Sequence, residues 1–190
     1  MSQLPDGPTK IGKDPVLRKK VVYQGRYVRT EEQTLLLPDG SEAVREIVSP
    51  PDAVGILAVD HDETVYLVRQ YRPAISEVTL EIPAGILDPG EIAEETARRE
   101  CAEEIGLMPE KLLLLFSYYH SVGFSTGKIT VFLGTNLRPA QNAHTDPQEF
   151  LERVPLPFSA LYEKSMSGEI IDSKTLLAAL WYQQRKGGGL

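Results

Sequence analysis

One stretch narrows the options for this chain more than any other: GILDPGEIAEETARRECAEEIGL, residues 85–107. It opens with a turn-forming run and continues as a helical pattern that stops at Gly106, the residue type best suited to a helix C-terminus. Seven of its 23 residues are acidic. Residues three and four apart share a helix face, so Glu100, Glu103 and Glu104 project together. Like charges so placed repel. At the C-terminal end they also oppose the helix dipole, which costs about a few tenths of a kcal/mol each or more. The earlier acids have compensation: Glu94 has Arg98 and Glu95 has Arg99 four residues on, in the favourable acid-first order, and Arg99 also reaches Glu103. A solvated charged face is the plain alternative. The wrong-end placement and the glycine-rich lead-in argue against it. Three carboxylates on one face make an oxygen-only ligand set for a hard cation such as Mg²⁺, which keeps several waters and shares its shell with substrate phosphates.

The rest of the chain limits the setting. Its 190 residues suit one ordinary domain with a small appended subdomain. A net charge of −7 argues against a nucleic-acid partner. No apolar run approaches the ~20 residues of a bilayer span, so no membrane partner is expected. The polar leading segment MSQLPDGPTKIGKDP has no signal-peptide core, so a cytoplasmic protein is expected. The single cysteine, Cys101, rules out an internal disulfide framework and a cysteine-rich zinc site. Its acidic neighbours would raise a thiol pKa, which makes it a small core filler rather than a nucleophile.

Along the chain, residues 1–18 read as an arm without periodicity, 19–49 as a small antiparallel β subdomain, and 50–190 as the main domain. KKVVYQGRYVR pairs around Gln24-Gly25, and TLLLPDGSEAVREIV around Pro38-Asp39-Gly40. AVGILAV, TVYLVRQY, VTLEIPAG, KLLLLFSYY, KITVFLGT and EFLERVPLP read as strands. SALYEKSMSG reads as a short helix, and DSKTLLAALWYQQRK as a C-terminal helix capped by Asp172 or Ser173. Interleaved strands and helices make the class α/β or α+β.

The spacing of the acidic stretch resembles a known family. Gly85, five residues, Glu91, seven residues, then Arg99-Glu100-Cys101-Ala102-Glu103-Glu104-Ile105-Gly106-Leu107 matches every fixed position of the Nudix box, with cysteine an unusual choice for an aliphatic slot. The resemblance implies an α/β class fold, an α/β/α sandwich with a mixed central sheet. It implies divalent-metal hydrolysis of nucleoside diphosphates linked to another moiety, with Mg²⁺ as cofactor and Mn²⁺ as a substitute. It also implies that Glu100, Glu103 and Glu104, with the backbone carbonyl of Ala84, hold metal, that Arg99 orients the acids, and that Glu91 staples the loop.

Upstream, VRQYRPAISEVTLEIPAGILDPGE resembles the ADP-ribose pyrophosphatases of that family over roughly residues 40–180. That subgroup implies cleavage of ADP-ribose to AMP and ribose 5-phosphate, and a homodimer in which the N-terminal sheet exchanges contacts. Arg72 matches its Q-Y-R arginine and Arg45, more weakly, its V-R-E segment; both are expected on phosphate, which arginine grips bidentately. Tyr71 reads as core, and Tyr23 or Tyr27 as the ring that stacks on adenine. The base in the subgroup lies on a downstream acidic loop, which matches Glu149 here, with Glu152 as runner-up. Ser121-Val122-Gly123-Phe124-Ser125-Thr126-Gly127 departs from the subgroup's S-P-G-F-[ST]-[DE]-E, although Phe124 is kept as a substrate contact. That departure leaves open another nucleoside diphosphate sugar such as GDP-mannose. A non-catalytic ADP-ribose sensor is the alternative from another class, and the intact acids argue against it.

Overall fold

The computed structural model describes residues 12–88, 90–141 and 150–186. The chain forms two units: Met1–Pro50 with Ser121–Thr126, and Pro51–His120 with Gly127–Leu190.

In the first unit, β1 (Val16–Gln24), β2 (Arg29–Leu36) and β3 (Glu42–Ser49) make an antiparallel sheet in that order. The first turn closes with the Gly25 N–H on the Val28 carbonyl at 2.8 Å. In the second, Gly40 takes φ 85°, and Asp39 Oδ1 accepts from the Ser41 N–H at 2.9 Å. This is the turn chemistry that the Pro-Asp-Gly triplet encodes. The Ser121–Thr126 segment joins β3: Val48 N–H donates to the Phe124 carbonyl at 2.8 Å, and Thr126 N–H to the Val48 carbonyl at 3.0 Å. Strand β1 is exposed throughout, including Val16, Leu17, Val21, Val22 and Tyr23.

The second unit is built on a seven-stranded mixed sheet. Its strands are β4 (Ala53–Val59), β5 (Thr64–Arg72), β6 (Glu77–Glu81), β7 (Ala84–Ile86), β8 (Leu107–Tyr119), β9 (Lys128–Pro139) and β10 (Glu152–Pro157). The order is β10-β5-β4-β9-β8, with β6 on β5 and β7 on β4. The β4–β9 pair is parallel and the others are antiparallel. VTLEIPAG is therefore not one strand. Its first half pairs with β5 and its second with β4. Pro83, which has no N–H for a ladder, sits at the change of neighbour and accepts from the Ile56 N–H at 2.9 Å.

Three helices are described: α1 (Ala93–Ile105), α2 (Phe158–Ser167) and α3 (Ser173–Lys186). Strand β4 shows why they lie on both faces. Side chains alternate along a strand, and β4 is buried on both sides. Val54, Ile56 and Ala58 pack with Val68, Phe132 and the α1 residues Ala97, Cys101 and Ile105. Leu57 and Val59 pack with Phe158 and Leu161 of α2 and Ala178, Ala179 and Tyr182 of α3. The result is the expected helix–sheet–helix sandwich. Each fully buried Leu, Ile or Phe here stabilises by about 1.5–3 kcal/mol relative to exposure. No helix among the described residues is long and apolar enough to cross a membrane.

Candidate active site

Helix α1 is the scaffold of the site. It starts after Ile92 and ends at Gly106, whose φ of 68° and N–H bond to the Ala102 carbonyl close the last turn. Its buried residues are Thr96, Ala97, Glu100, Cys101, Ala102 and Ile105. Burial first, and then the nearby Glu104 charge, push the Cys101 thiol up to about 12, so it is an inert filler.

The acids gather around Arg99. Its Nη1 donates to Glu100 Oε1 at 2.7 Å and to Glu103 Oε2 at 3.1 Å. Its Nε and Nη2 grip both oxygens of Glu91 at 3.0 Å each, and Nη2 also reaches the Ile86 carbonyl at 3.3 Å. The guanidinium is thus the common cation of three carboxylates, and their bonds and charges raise its pKa further. Glu104 turns to the neighbouring strand, where its Oε2 accepts from the Ala84 N–H at 2.9 Å. Glu91 ties the preceding loop to the helix: it also accepts from the Asp88 N–H at 3.2 Å and the Thr96 hydroxyl at 2.9 Å. Of the expected helix-surface pairs, Arg99–Glu103 forms, while Glu94–Arg98 and Glu95–Arg99 are absent among the described residues. Arg98 bonds the carbonyls of Pro109 and Glu110, and the two-pronged fit to Glu91 takes Arg99 from Glu95.

Gly85 has a steric reason. A Cβ there would overlap the Glu100 carboxylate, which lies against the backbone in the place a side chain would fill. Gly85→Ala is therefore expected to fold but to displace Glu100 and lower activity by about 10²-fold, the scale of an ångström-sized misplacement. Activity within threefold of the parent would show that the Glu100 position is not critical.

A second cluster adjoins a pocket of about 380 Å³ lined by Arg72, Thr79, Glu81, Asp172, Ser173 and Lys174, with an apolar rim that includes Ile75 and Ile171. Glu81, buried, accepts from Arg72 Nε and Nη2 at 2.7 Å each and from the Thr79 hydroxyl at 2.6 Å, and pairs with the Lys174 ammonium. Lys174 is also held by Asp172 Oδ1 at 3.0 Å. Asp172 caps α3, its Oδ2 accepting from the Thr175 N–H at 3.0 Å and the Thr175 hydroxyl at 2.5 Å. That hydroxyl accepts in turn from the Ile82 N–H at 2.8 Å. The bonds it donates to Glu81, with the charges of Glu81, Asp172 and Glu104, raise the Arg72 pKa.

Two carboxyls here titrate far from their usual value. Burial alone would raise Glu81, but Arg72, Lys174 and Thr79 outweigh it and hold it at about 2 against 4.5. Arg99 chiefly, with the Asp88 N–H and Thr96, holds Glu91 at about 2. Both folded values lie below the unfolded one. Their contribution to stability is therefore whole above pH 4.5 and is lost as the pH falls towards 2. The urea unfolding midpoint is expected to drop between about pH 5 and about pH 3; an unchanged midpoint across that window would contradict these assignments.

The remaining expected residues are distributed as follows. Glu149 lies outside the described residues. Glu152 begins β10, exposed, and accepts from Arg69 Nη1 at 2.6 Å. Arg45 and Phe124 belong to the first unit, both exposed. Arg45 Nη1 donates to the Val44 carbonyl at 3.0 Å. Tyr71 is 57% exposed and is not core. Tyr23 and Tyr27 are exposed in the first unit, with the Arg26 guanidinium 4.9 Å from the Tyr27 ring centre. Sequence reasoning named Asp172 only as a candidate helix cap, which it is, and missed Glu81, Lys174 and Thr175. The available signal was an acid inside the apolar run VTLEIPAG and a lysine on the apolar face of the last helix.

The family model described as the NUDIX domain matches residues 49–174. The chain is 32% identical over 174 residues to an ADP-ribose pyrophosphatase of Bacillus subtilis, covering 91% of this chain and 94% of that protein. It is 31% identical over 175 residues to a methanol dehydrogenase activator of Bacillus methanolicus, covering 92% and 95% respectively. Among solved structures, an ADP compounds hydrolase superposes with a TM-score of 0.81 at 23% identity, covering 94% of this chain and 97% of the other. At that identity the superposition speaks for the fold.

Proposed function

The chain belongs to the Nudix family and is a Nudix hydrolase, and on that premise we propose that it splits the diphosphate bond of ADP-ribose with water to give AMP and ribose 5-phosphate. The observation that carries this reading is the intact set Glu100, Glu103 and Glu104, the first two on Arg99 and the third on the Ala84 N–H, beside the Ala84–Gly85 backbone. The similarity to an ADP-ribose pyrophosphatase across nine-tenths of both chains supports the choice of substrate.

Nudix hydrolases use divalent metal ions, and the residues present fit one. The donor set is all oxygen, as a hard cation requires, and the missing side chain at Gly85 leaves room for the Glu100 carboxylate. In this reading Glu100, Glu103, Glu104 and the Ala84 carbonyl hold Mg²⁺, for which Mn²⁺ can substitute. When bound, such an ion offsets the charge of the diphosphate and lowers the pKa of a bound water. Arg99 keeps the acids in register while they are unligated. Arg72 offers its Nη1, which has no protein partner among the described residues, to a phosphate oxygen. Glu149 takes the proton of the attacking water, with Glu152, already engaged by Arg69, as the second candidate. Arg45 and Phe124 contact the substrate, so alanine at either raises KM.

A panel of ADP-ribose, GDP-mannose, ADP-glucose, NADH and diadenosine polyphosphates with Mg²⁺, read by product chromatography, tests the substrate. The highest kcat/KM is expected for ADP-ribose; a preference for GDP-mannose would overturn the choice of sugar. No turnover of any member would favour the sensor reading.

The enzyme acts as a homodimer whose interface includes the N-terminal sheet. A three-stranded sheet is small for independent stability, and β1 exposes five large apolar residues. Light scattering at micromolar concentration should give twice the 21.1 kDa chain mass; an active monomer would refute the assembly. The lone buried cysteine suits a reducing cytoplasm.

A further inference from the structure

We infer that Lys174, at the start of α3, is a positioning residue for diphosphate binding: it acts through Glu81 to fix the guanidinium of Arg72. The inference rests on the reading of Arg72 as the diphosphate-binding arginine.

Arg72 spends Nε and Nη2 on the two oxygens of one carboxylate. Where its remaining nitrogen points therefore depends on the plane of Glu81. Strand β6 alone does not set that plane, since a glutamate has free rotors. Two further donors set it: the Thr79 hydroxyl on Oε1 and the Lys174 ammonium on Oε2. Lys174 is 6% exposed and Glu81 2%, so water does not take over either bond. Lys174 is itself held by Asp172, which caps the same helix and so ties the ammonium to the α3 backbone. The order of dependence runs from helix cap to lysine, to glutamate, to arginine.

Charge adds to geometry. With Lys174 in place, Glu81 faces two cations, and Arg72 keeps part of its positive potential for an anion in the adjoining pocket. Without Lys174, Glu81 is balanced by Arg72 alone, and the arginine is both less well aimed and more fully neutralised. A buried ion pair adds little to net stability, because desolvation offsets the attraction. A role in geometry accounts better for burying Glu81 and Lys174, 93 residues apart, beside a partly exposed Arg72.

The test is a kinetic cycle with ADP-ribose and Mg²⁺. Lys174→Met is expected to raise KM about tenfold, the worth of one misplaced charge-assisted hydrogen bond, with kcat within about threefold of the parent. Lys174→Arg should recover most of the loss. Arg72→Ala should raise KM by itself, and adding Lys174→Met to it should then cost less than about twofold, because residues acting through one another are not additive. A purely structural role would lower the melting temperature and cost the same factor in both backgrounds. If Lys174→Met does not fold, Lys174→Gln, which removes the charge and falls short of Glu81, replaces it in the cycle with the same expected non-additivity. An unchanged KM in the folded lysine variant, or equal costs in the two backgrounds, overturns the inference while leaving Arg72 in place. An unchanged KM in Arg72→Ala overturns the assignment of Arg72 and this inference with it.

Discussion

Glu104→Gln is expected to abolish turnover while leaving the fold intact. The amide keeps an oxygen that can accept the Ala84 N–H, the bond Glu104 makes now, so the packing of α1 on β7 has no reason to change. What is lost is one negative charge in a set of three. Metal assistance is worth several kcal/mol of transition-state stabilisation, which at 1.36 kcal/mol per decade is about 10³-fold or more in rate. The same variant separates binding from folding. Mg²⁺ should raise the melting temperature of the parent, because an ion that binds only the folded state stabilises it. In Glu104→Gln that rise should shrink or vanish, with the metal-free melting temperature held. Substantial activity at saturating Mg²⁺ would remove Glu104 from the ligand set.

The second large effect is expected at Glu149. A carboxylate that holds a metal is a poor proton acceptor, because its charge is already committed. A separate acid should therefore accept the proton of the attacking water. Glu149→Gln is expected to lower kcat by about 10²- to 10⁴-fold, the usual worth of a general base, with KM little changed, since the proton moves only in the transition state. Glu152 offers the internal control, since its carboxylate is bonded to Arg69 on the strand beside it. If Glu149→Gln stays within a few-fold of the parent and Glu152→Gln is inactive, the roles are reversed. If neither matters, no separate base is needed.

What could be read from the sequence follows the distance between partners. The acidic helix, its glycine stop and the role of Glu91 lie within 23 residues, where helix periodicity and one family spacing suffice. The burial of AVGILAV on both faces follows from its unbroken apolar run. The local pairing rule failed at Arg99 because a two-pronged fit to Glu91, outside the helix, competes better than a single surface contact with Glu95. Reading VTLEIPAG as one strand failed because apolarity records burial and not the identity of the neighbouring strand. The Arg72–Glu81–Lys174 cluster was beyond reach for a related reason. Its lysine and glutamate are 93 residues apart, and no periodicity links them.

That separation also orders events in time. The carboxylate cradle and the strand that backs it are neighbours in the chain, so they can assemble early, at the low loop-closure cost of local contacts. The pairing of Glu81 with Lys174 must wait for α3, which follows every strand of the mixed sheet in the chain. A nascent chain that has just released β9 can thus carry every acid of the cradle and still lack the ammonium that pairs with Glu81. If Arg72 grips the diphosphate as proposed, a chain stopped before Lys174 would keep the acids of α1 and lose the aim of that arginine.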